Sequence, residues 1–149
     1  MLLVIDVGNS AVKGGLFDGA ELVRVFTVEE GGEDGPISAA DWTEALRPRL
    51  QDVPVTGIGL ASVVPCAADA VTEALARLTD APVTTIRSTM SLPFELAYET
   101  PEALGADRLA AAAAGWRRYG ASASPPRSVL VVDAGTAVTC EVIHRDGVY

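Results

Sequence analysis

Two stretches of this chain repeat one short pattern, and that repeat constrains the fold more than any other feature. The first reads LLVIDVGNSAVKGG and the second reads VLVVDAGTAVTCEV, with Asp6 and Asp133 at equivalent places. In both, a run of apolar residues ends at an aspartate, and a small residue and a glycine follow. This order predicts a buried strand, a tight turn and a second strand.

The two stretches align at an offset of about 127 residues, which pairs Gly8 with Gly135 and Asn9 with Thr136. A period of this length indicates a duplicated domain, since solenoid repeats span roughly 20–50 residues. We therefore predict one domain over residues 1–124 and the first strands of a second, truncated domain over residues 125–149.

Strand and helix patterns alternate between the two stretches, which predicts an α/β fold. Asp18-Gly19 indicates a hairpin turn between two β-rich runs. Strands are predicted in VTGIGLASVVP and PVTTIR, and a helix in CAADAVTEALARLTD. Thr100 and Pro101 suit the N-cap and first position of a later helix, whose alanine-rich part allows close packing.

The first predicted helix has its own start and stop signals. Trp42, Leu46 and Leu50 are spaced to share one face, and Ser38 can cap the helix. Pro48 is expected to bend or shorten it. Both tryptophans of the chain, Trp42 and Trp116, are predicted to lie in apolar cores.

Charge and composition exclude several classes of partner. A net charge of -9 argues against general binding to nucleic acid or to an anionic membrane surface. The N-terminus lacks the basic segment of a signal peptide, and no apolar run approaches the ~20 residues of a spanning helix. Cys66 and Cys140 lack metal-ligand spacing, so reduced thiols and a cytoplasmic location are expected.

The repeated Asp-x-Gly turn suits the binding of a phosphate together with a cation. Glycine permits close backbone approach, and successive N–H groups form a nest for phosphate oxygens. The aspartate repels a bare phosphate, so it must hold a cation or a cation-bound water, and two facing turns can grip a polyphosphate with metal between them. The alternative is that each aspartate simply caps its own hairpin turn. Lys13 either reaches a phosphate or stays solvated.

A third motif, YETPEALGADRLAAAAAG, places Asp107 and Arg108 at the start of a helix after Gly105. An acid there stabilises the helix dipole, and the arginine can be a surface residue. Alternatively, Asp107 orients or deprotonates a hydroxyl nucleophile and Arg108 binds an acidic group of the substrate. Phosphoryl transfer needs mainly this kind of positioning and charge neutralisation.

Taken together, the motifs DVGNSAVKGG, ASVVP, Y-x-x-P-x-x-LGADR and VVDAGTAVT resemble those of the type III pantothenate kinases. The resemblance covers the whole chain. It implies an actin-like fold of two ribonuclease H-like domains, and ATP-dependent phosphorylation of pantothenate in coenzyme A synthesis. It also implies a homodimer, Mg²⁺ with the nucleotide, and a monovalent cation, K⁺ or NH₄⁺.

The resemblance also implies roles for individual residues. Asp107 is the expected base, Asp133 the ligand of the monovalent cation, and Thr136 a contact of the ATP phosphates. The first phosphate loop comprises Asp6, Val7, Gly8, Asn9, Ser10, Ala11, Val12 and Lys13. The pantothenate site is lined by Tyr98, Gly105, Ala106, Asp107 and Arg108.

The sequence departs from the family at two points. Ser10 stands where threonine is common and keeps the hydroxyl. Family members continue beyond the position of Tyr149, so we expect an incomplete form with little or no kinase activity by itself. Two alternatives remain: a non-catalytic regulator or assembly factor on the same fold, and another kinase or phosphatase of the superfamily. His144, the single histidine, is expected at the surface.

Overall fold

The computed structural model describes residues 1–29, 38–135 and 137–149, and it divides into two compact units, Met1–Thr85 and Ile86–Tyr149. The predicted α/β class is confirmed, because strands and helices alternate along the chain. Within the described residues, no helix has the length and apolar character needed to cross a membrane.

The first unit is a five-stranded mixed sheet with two helices. Its elements are β1 (Leu2–Val7), β2 (Ala11–Asp18), β3 (Glu21–Glu29), α1 (Ala39–Leu50), β4 (Gly57–Ser62), α2 (Pro65–Leu78) and β5 (Val83–Thr85). The strand order is β3-β2-β1-β4-β5, so β1 lies at the centre. It pairs antiparallel with β2 and parallel with β4.

The core of this unit forms where alternate residues of β1 meet the two helices. Leu3 and Ile5 are buried at every second position of the strand, as a period of two requires. They belong to one apolar cluster with Trp42 of α1 and Leu75 of α2. The predicted core position of Trp42 is therefore confirmed.

Local signals of the sequence explain two features of this unit. Ser38 caps α1 through a capping box, in which its hydroxyl and the Asp41 carboxylate each bond the other residue's backbone N–H. The helix is not shortened at Pro48, because that residue lies in the last turn and the helix ends at Leu50. The hairpin between β2 and β3 is confirmed, and Gly19 adopts the positive φ of 58° that favours glycine.

The second unit packs one helix against a two-stranded sheet. It contains a 3₁₀ turn (Pro101–Ala103), α3 (Ala106–Gly115), a π-helical turn (Trp116–Gly120), β6 (Val129–Ala134) and β7 (Val138–Ile143). Thr100 and Pro101 open the 3₁₀ turn, so the α-helix begins later than that pair predicts, after Gly105. Trp116 lies in the core of this unit, as predicted, with Phe94 and Ile143.

Small residues bring α3 close to the sheet. A Cβ added to Gly115 would lie 2.5 Å from a methyl carbon of Val131, closer than real contacts allow. The close packing expected of the alanine-rich stretch is therefore present at the end of this helix.

The outer face of the second hairpin is apolar and exposed. Leu130 pairs with Val142, and Val132 pairs with Cys140, on the side opposite the buried Val129 and Ile143. Both cysteines of the chain are free thiols, as predicted, and both are exposed.

Candidate functional site

The first acidic turn joins β1 to β2. Asp6 lies directly opposite Lys13 in the antiparallel register, so the two side chains project from the same face of the sheet. The Gly8 N–H donates to the Ala11 carbonyl at 3.1 Å and closes the loop. A Cβ on Gly8 would lie 3.3 Å from that carbonyl oxygen, so the close turn favours glycine.

This geometry decides which groups of the predicted phosphate loop remain accessible. The Gly8 N–H already donates to a carbonyl within the turn, so it is not available to donate to a ligand. Asn9 and Ser10 lie exposed at the tip, whereas the side chains of Val7 and Val12 are buried in the core. Any contact from these two valines is therefore made by the backbone.

The second acidic turn joins β6 to β7 and resembles the first. Asp133 is exposed and lies opposite Thr139, and the Gly135 N–H donates to the Ala137 carbonyl at 3.0 Å. Thr136, expected to contact ATP, lies outside the described residues. The second turn is also closed by a donation from its glycine N–H, but the acceptor lies two positions further along the chain rather than three. It places a hydroxyl, not an ammonium group, across from its aspartate.

The described part of the chain holds no cluster of side chains typical of a metal site. No group of three or more His, Cys, Asp or Glu side chains there is arranged to hold a metal ion. A cation at Asp133 would therefore complete its shell with backbone carbonyls and ligand oxygens. That oxygen-rich donor set fits a hard monovalent cation better than a transition metal.

The GADR motif forms the start of α3. Gly105 precedes the helix without a side-chain cap, and Asp107 lies in the first turn, as predicted. The Asp107 carboxylate accepts a hydrogen bond of 2.8 Å from the Arg108 backbone N–H. This contact holds a half-buried carboxylate at the positive end of the helix.

The side chain of Arg108 forms a two-point ion pair with Glu141 of β7. Its Nε donates to Oε1 at 2.6 Å, and its Nη2 donates to Oε2 at 2.8 Å. The Glu141 side chain is only 2% exposed, whereas that of Arg108 is 30% exposed. Bidentate pairs between an arginine and a carboxylate fix the orientation of both groups and add to the interaction energy.

Tyr149 completes this cluster. Its hydroxyl donates to Glu141 and lies 3.5 Å from Nη2 of Arg108. Burial and the neighbouring Glu141 carboxylate raise the pKa of Tyr149 to about 12. Burial opposes ionisation of Glu141, but hydrogen bonds from Arg108 and Tyr149 outweigh it and lower the Glu141 pKa. The same pair raises the pKa of Arg108.

Aromatic contacts connect the cluster to Tyr98. The Tyr149 ring stacks on Phe94 at a centroid distance of 5.5 Å and meets Tyr98 edge to face at 6.3 Å. The backbone of Tyr149 is tied to the same segment, since it donates to the Glu95 carbonyl and accepts from the Ala97 N–H.

The structure therefore brings together one part of the predicted site within the second unit. Tyr98 and Arg108 join through two residues that sequence reasoning missed, Glu141 and Tyr149. Glu141 carried a usable signal, because it shares strand parity with the apolar Ile143 and so needed a cationic partner. Tyr149 carried none.

His144 lies outside this cluster. Its side chain is exposed, as predicted, and its Nδ1 lies 3.1 Å from a carboxylate oxygen of Asp146.

Comparison with known proteins identifies relatives over the whole of this chain. A sequence model of type III pantothenate kinase matches residues 2–149. The type III pantothenate kinase of Chlorobaculum parvum is 35% identical over 147 residues, covering 99% of this chain and 52% of the relative. That of Phocaeicola vulgatus is 37% identical over 152 residues, covering 100% and 54%. The chain spans about half the length of the curated relatives it matches.

Proposed function

This chain belongs to the type III pantothenate kinase family, and from that premise we propose that its protein phosphorylates pantothenate with ATP. The product is 4'-phosphopantothenate, and the reaction is the first step of coenzyme A synthesis. The observation that carries the proposal is the start of α3, where Asp107 is followed by an Arg108 whose guanidinium is fixed. An acceptor for a hydroxyl proton and a donor for a carboxylate are thus held on one helix turn.

In the proposed mechanism, Asp107 accepts the proton of the pantothenate hydroxyl as that oxygen attacks the γ-phosphorus of ATP. The bond between the γ-phosphorus and the bridging oxygen breaks, and ADP leaves with that oxygen. The Arg108 backbone N–H holds the carboxylate in place. The Arg108 side chain extends to Glu141 on β7. The Asp107 carboxylate and the Arg108 guanidinium therefore suit the two ends of an elongated hydroxy acid, its hydroxyl and its carboxylate. Tyr98 and the backbone from Gly105 to Arg108 line the same region.

The two acidic turns are proposed to hold the nucleotide. Asn9 and Ser10 at the first turn offer backbone and side-chain donors to phosphate, and Lys13 adds a charge beside Asp6. At the second turn, Asp133 would bind K⁺ or NH₄⁺, and Thr136 would contact ATP phosphate. Bound Mg²⁺ and the monovalent cation supply charge neutralisation for the triphosphate.

We also propose the wider setting that the family implies. The fold would be ribonuclease H-like and duplicated, with a first domain over residues 1–124 and a second beginning at 125. The equivalent hairpins β1–β2 and β6–β7 support this duplication. The compact units divide elsewhere, between Thr85 and Ile86, because α3 packs on β6 and β7. A cytoplasmic homodimer completes the proposal.

The test is a coupled assay of the gene product that carries these residues, with pantothenate, ATP, Mg²⁺ and K⁺. Asp107→Asn should lower kcat by about 10²- to 10⁴-fold, because an amide cannot accept the proton. Glu102→Gln, which alters an exposed acid of the neighbouring 3₁₀ turn, is the matched control and should keep the activity.

Two results would contradict the proposal. A wild-type protein without turnover would remove the activity itself. An Asp107→Asn variant that kept full cellular function would favour a non-catalytic regulator or assembly factor.

A further inference from the structure

We propose that Glu141 is a positioning residue for substrate binding, and that it acts by fixing which edge of the Arg108 guanidinium faces the pantothenate carboxylate. The inference rests on the proposed function. It concerns a residue of β7 that lies 33 positions away from Arg108 in sequence.

The hydrogen-bond donors of the Arg108 guanidinium are unequally occupied. Glu141 takes Nε and one hydrogen of Nη2, and Tyr149 lies at 3.5 Å from the same Nη2. Within the described residues, Nη1 donates no hydrogen bond to the protein. One edge of the planar group is thus occupied, and the Nη1 edge is left for a ligand.

The side chains of Glu141 and Arg108 differ in burial. Glu141 is almost fully enclosed, whereas nearly a third of the Arg108 side chain is accessible. Glu141 is therefore the buried partner of the pair, and Arg108 is the partner that a ligand can reach. Arginine without this partner would sample several rotamers, and ordering them would weaken ligand binding.

The opposite charges of Arg108 and Glu141 largely cancel. Arg108 therefore offers a ligand oriented hydrogen-bond donors rather than a bare positive charge. Tyr149 supports this state, because its hydroxyl donates to the carboxylate and satisfies Oε2. The Glu141 effect is consequently expected in substrate binding and not in proton transfer, which Asp107 carries out in the proposed mechanism.

The experiment is steady-state kinetics of Glu141→Gln in the gene product. The pantothenate KM should rise roughly 10-fold or more, while kcat stays within about threefold and the ATP KM within about twofold. Glu73→Gln is the matched control, because it breaks the Arg77–Glu73 pair on the exposed surface of α2 and should leave all three parameters unchanged.

A second arm separates positioning from a purely structural role. An Arg108→Lys background keeps the positive charge but loses the planar set of guanidinium donors. In this background, Glu141→Gln should raise the pantothenate KM by less than about twofold. Glu141→Asp keeps the carboxylate on a shorter arm and should give a KM between those of wild type and Glu141→Gln. This variant decides the question if Glu141→Gln does not fold.

The outcomes are distinct. A pantothenate KM within about twofold of wild type in a folded Glu141→Gln protein, or a loss of kcat at unchanged KM, overturns the inference and leaves the proposed kinase activity standing. A full KM increase by Glu141→Gln in the Arg108→Lys background also overturns it. A wild-type protein that does not phosphorylate pantothenate overturns both proposals.

Discussion

The hairpins β1–β2 and β6–β7 repeat one sequence pattern in two different environments. Leu3 and Leu130 occupy equivalent positions, yet Leu3 is 0% exposed and Leu130 is 61% exposed. The first hairpin lies inside a five-stranded sheet backed by helices, whereas the second is a two-stranded sheet with one covered face. A local pattern therefore specifies a turn and its strands, while the burial of those strands depends on what packs against them.

The cross-strand partners of the two aspartates differ as well. Asp6 faces Lys13, and Asp133 faces Thr139. An adjacent ammonium group offsets the charge of Asp6 and favours a phosphate nearby, whereas Asp133 lacks such a partner across the strand. We therefore predict that the two similar turns favour different ligands, an anion at the first and a cation at the second.

The largest expected effect comes from truncating the equivalent leucines of the 149-residue chain. Leu3→Ala should lower the free energy of unfolding by about 3 kcal/mol, since it leaves a cavity in a packed core. Leu130→Ala should change it by less than about 0.5 kcal/mol, since most of that side chain is already exposed.

Urea denaturation followed by tryptophan fluorescence measures both, because each unit contains one tryptophan, Trp42 or Trp116. Equal losses in the two variants would show that the outer face of β6–β7 is covered in solution.

A somewhat smaller effect should come from the ion pair that anchors the second hairpin. Arg108→Met leaves Glu141 buried without its partner and should cost about 2–3 kcal/mol, below the usual range because Arg108 is partly exposed. Arg77→Met breaks an exposed pair and should cost less than about 0.5 kcal/mol. Thermal unfolding monitored through Trp116 gives the first value, and similar losses in the two variants would refute the anchoring role.

A pH effect of smaller size should follow from the same pair. Folding lowers the Glu141 pKa below its ordinary value of 4.5, so the folded state binds fewer protons there. The stabilisation is therefore complete above pH 4.5 and is lost as pH falls through the depressed pKa. Glu141→Gln should flatten the pH dependence of unfolding of this unit below pH 4.5. An unchanged slope in urea titrations between about pH 3 and 5 would contradict this.

Sequence reasoning recovered what local signals encode. The capping residue Ser38, the turn at Gly19 and the helix start after Gly105 followed from short-range chemistry. The helix α1 continues past Pro48 to Leu50, as the spacing of Trp42, Leu46 and Leu50 indicated, so the alternative that Pro48 shortens the helix was wrong.

Long-range contacts were less accessible to sequence reasoning. The motif indicated Arg108, but its partner on β7 depends on how α3 packs on the second hairpin. Strand parity was a signal that could have indicated a buried acid at Glu141, but it could not have said which cation meets it. The roles of Asp6, Asp107 and Asp133 stay predictions.

The most direct test of the different ligands of the two turns is the K⁺ dependence of pantothenate phosphorylation by the gene product, in wild type, Asp6→Asn and Asp133→Asn. We expect K⁺ to activate the wild type and Asp6→Asn, the latter with a raised ATP KM, and to have no effect on Asp133→Asn. The same K⁺ response in both variants, or a wild type that K⁺ does not activate, would contradict the account.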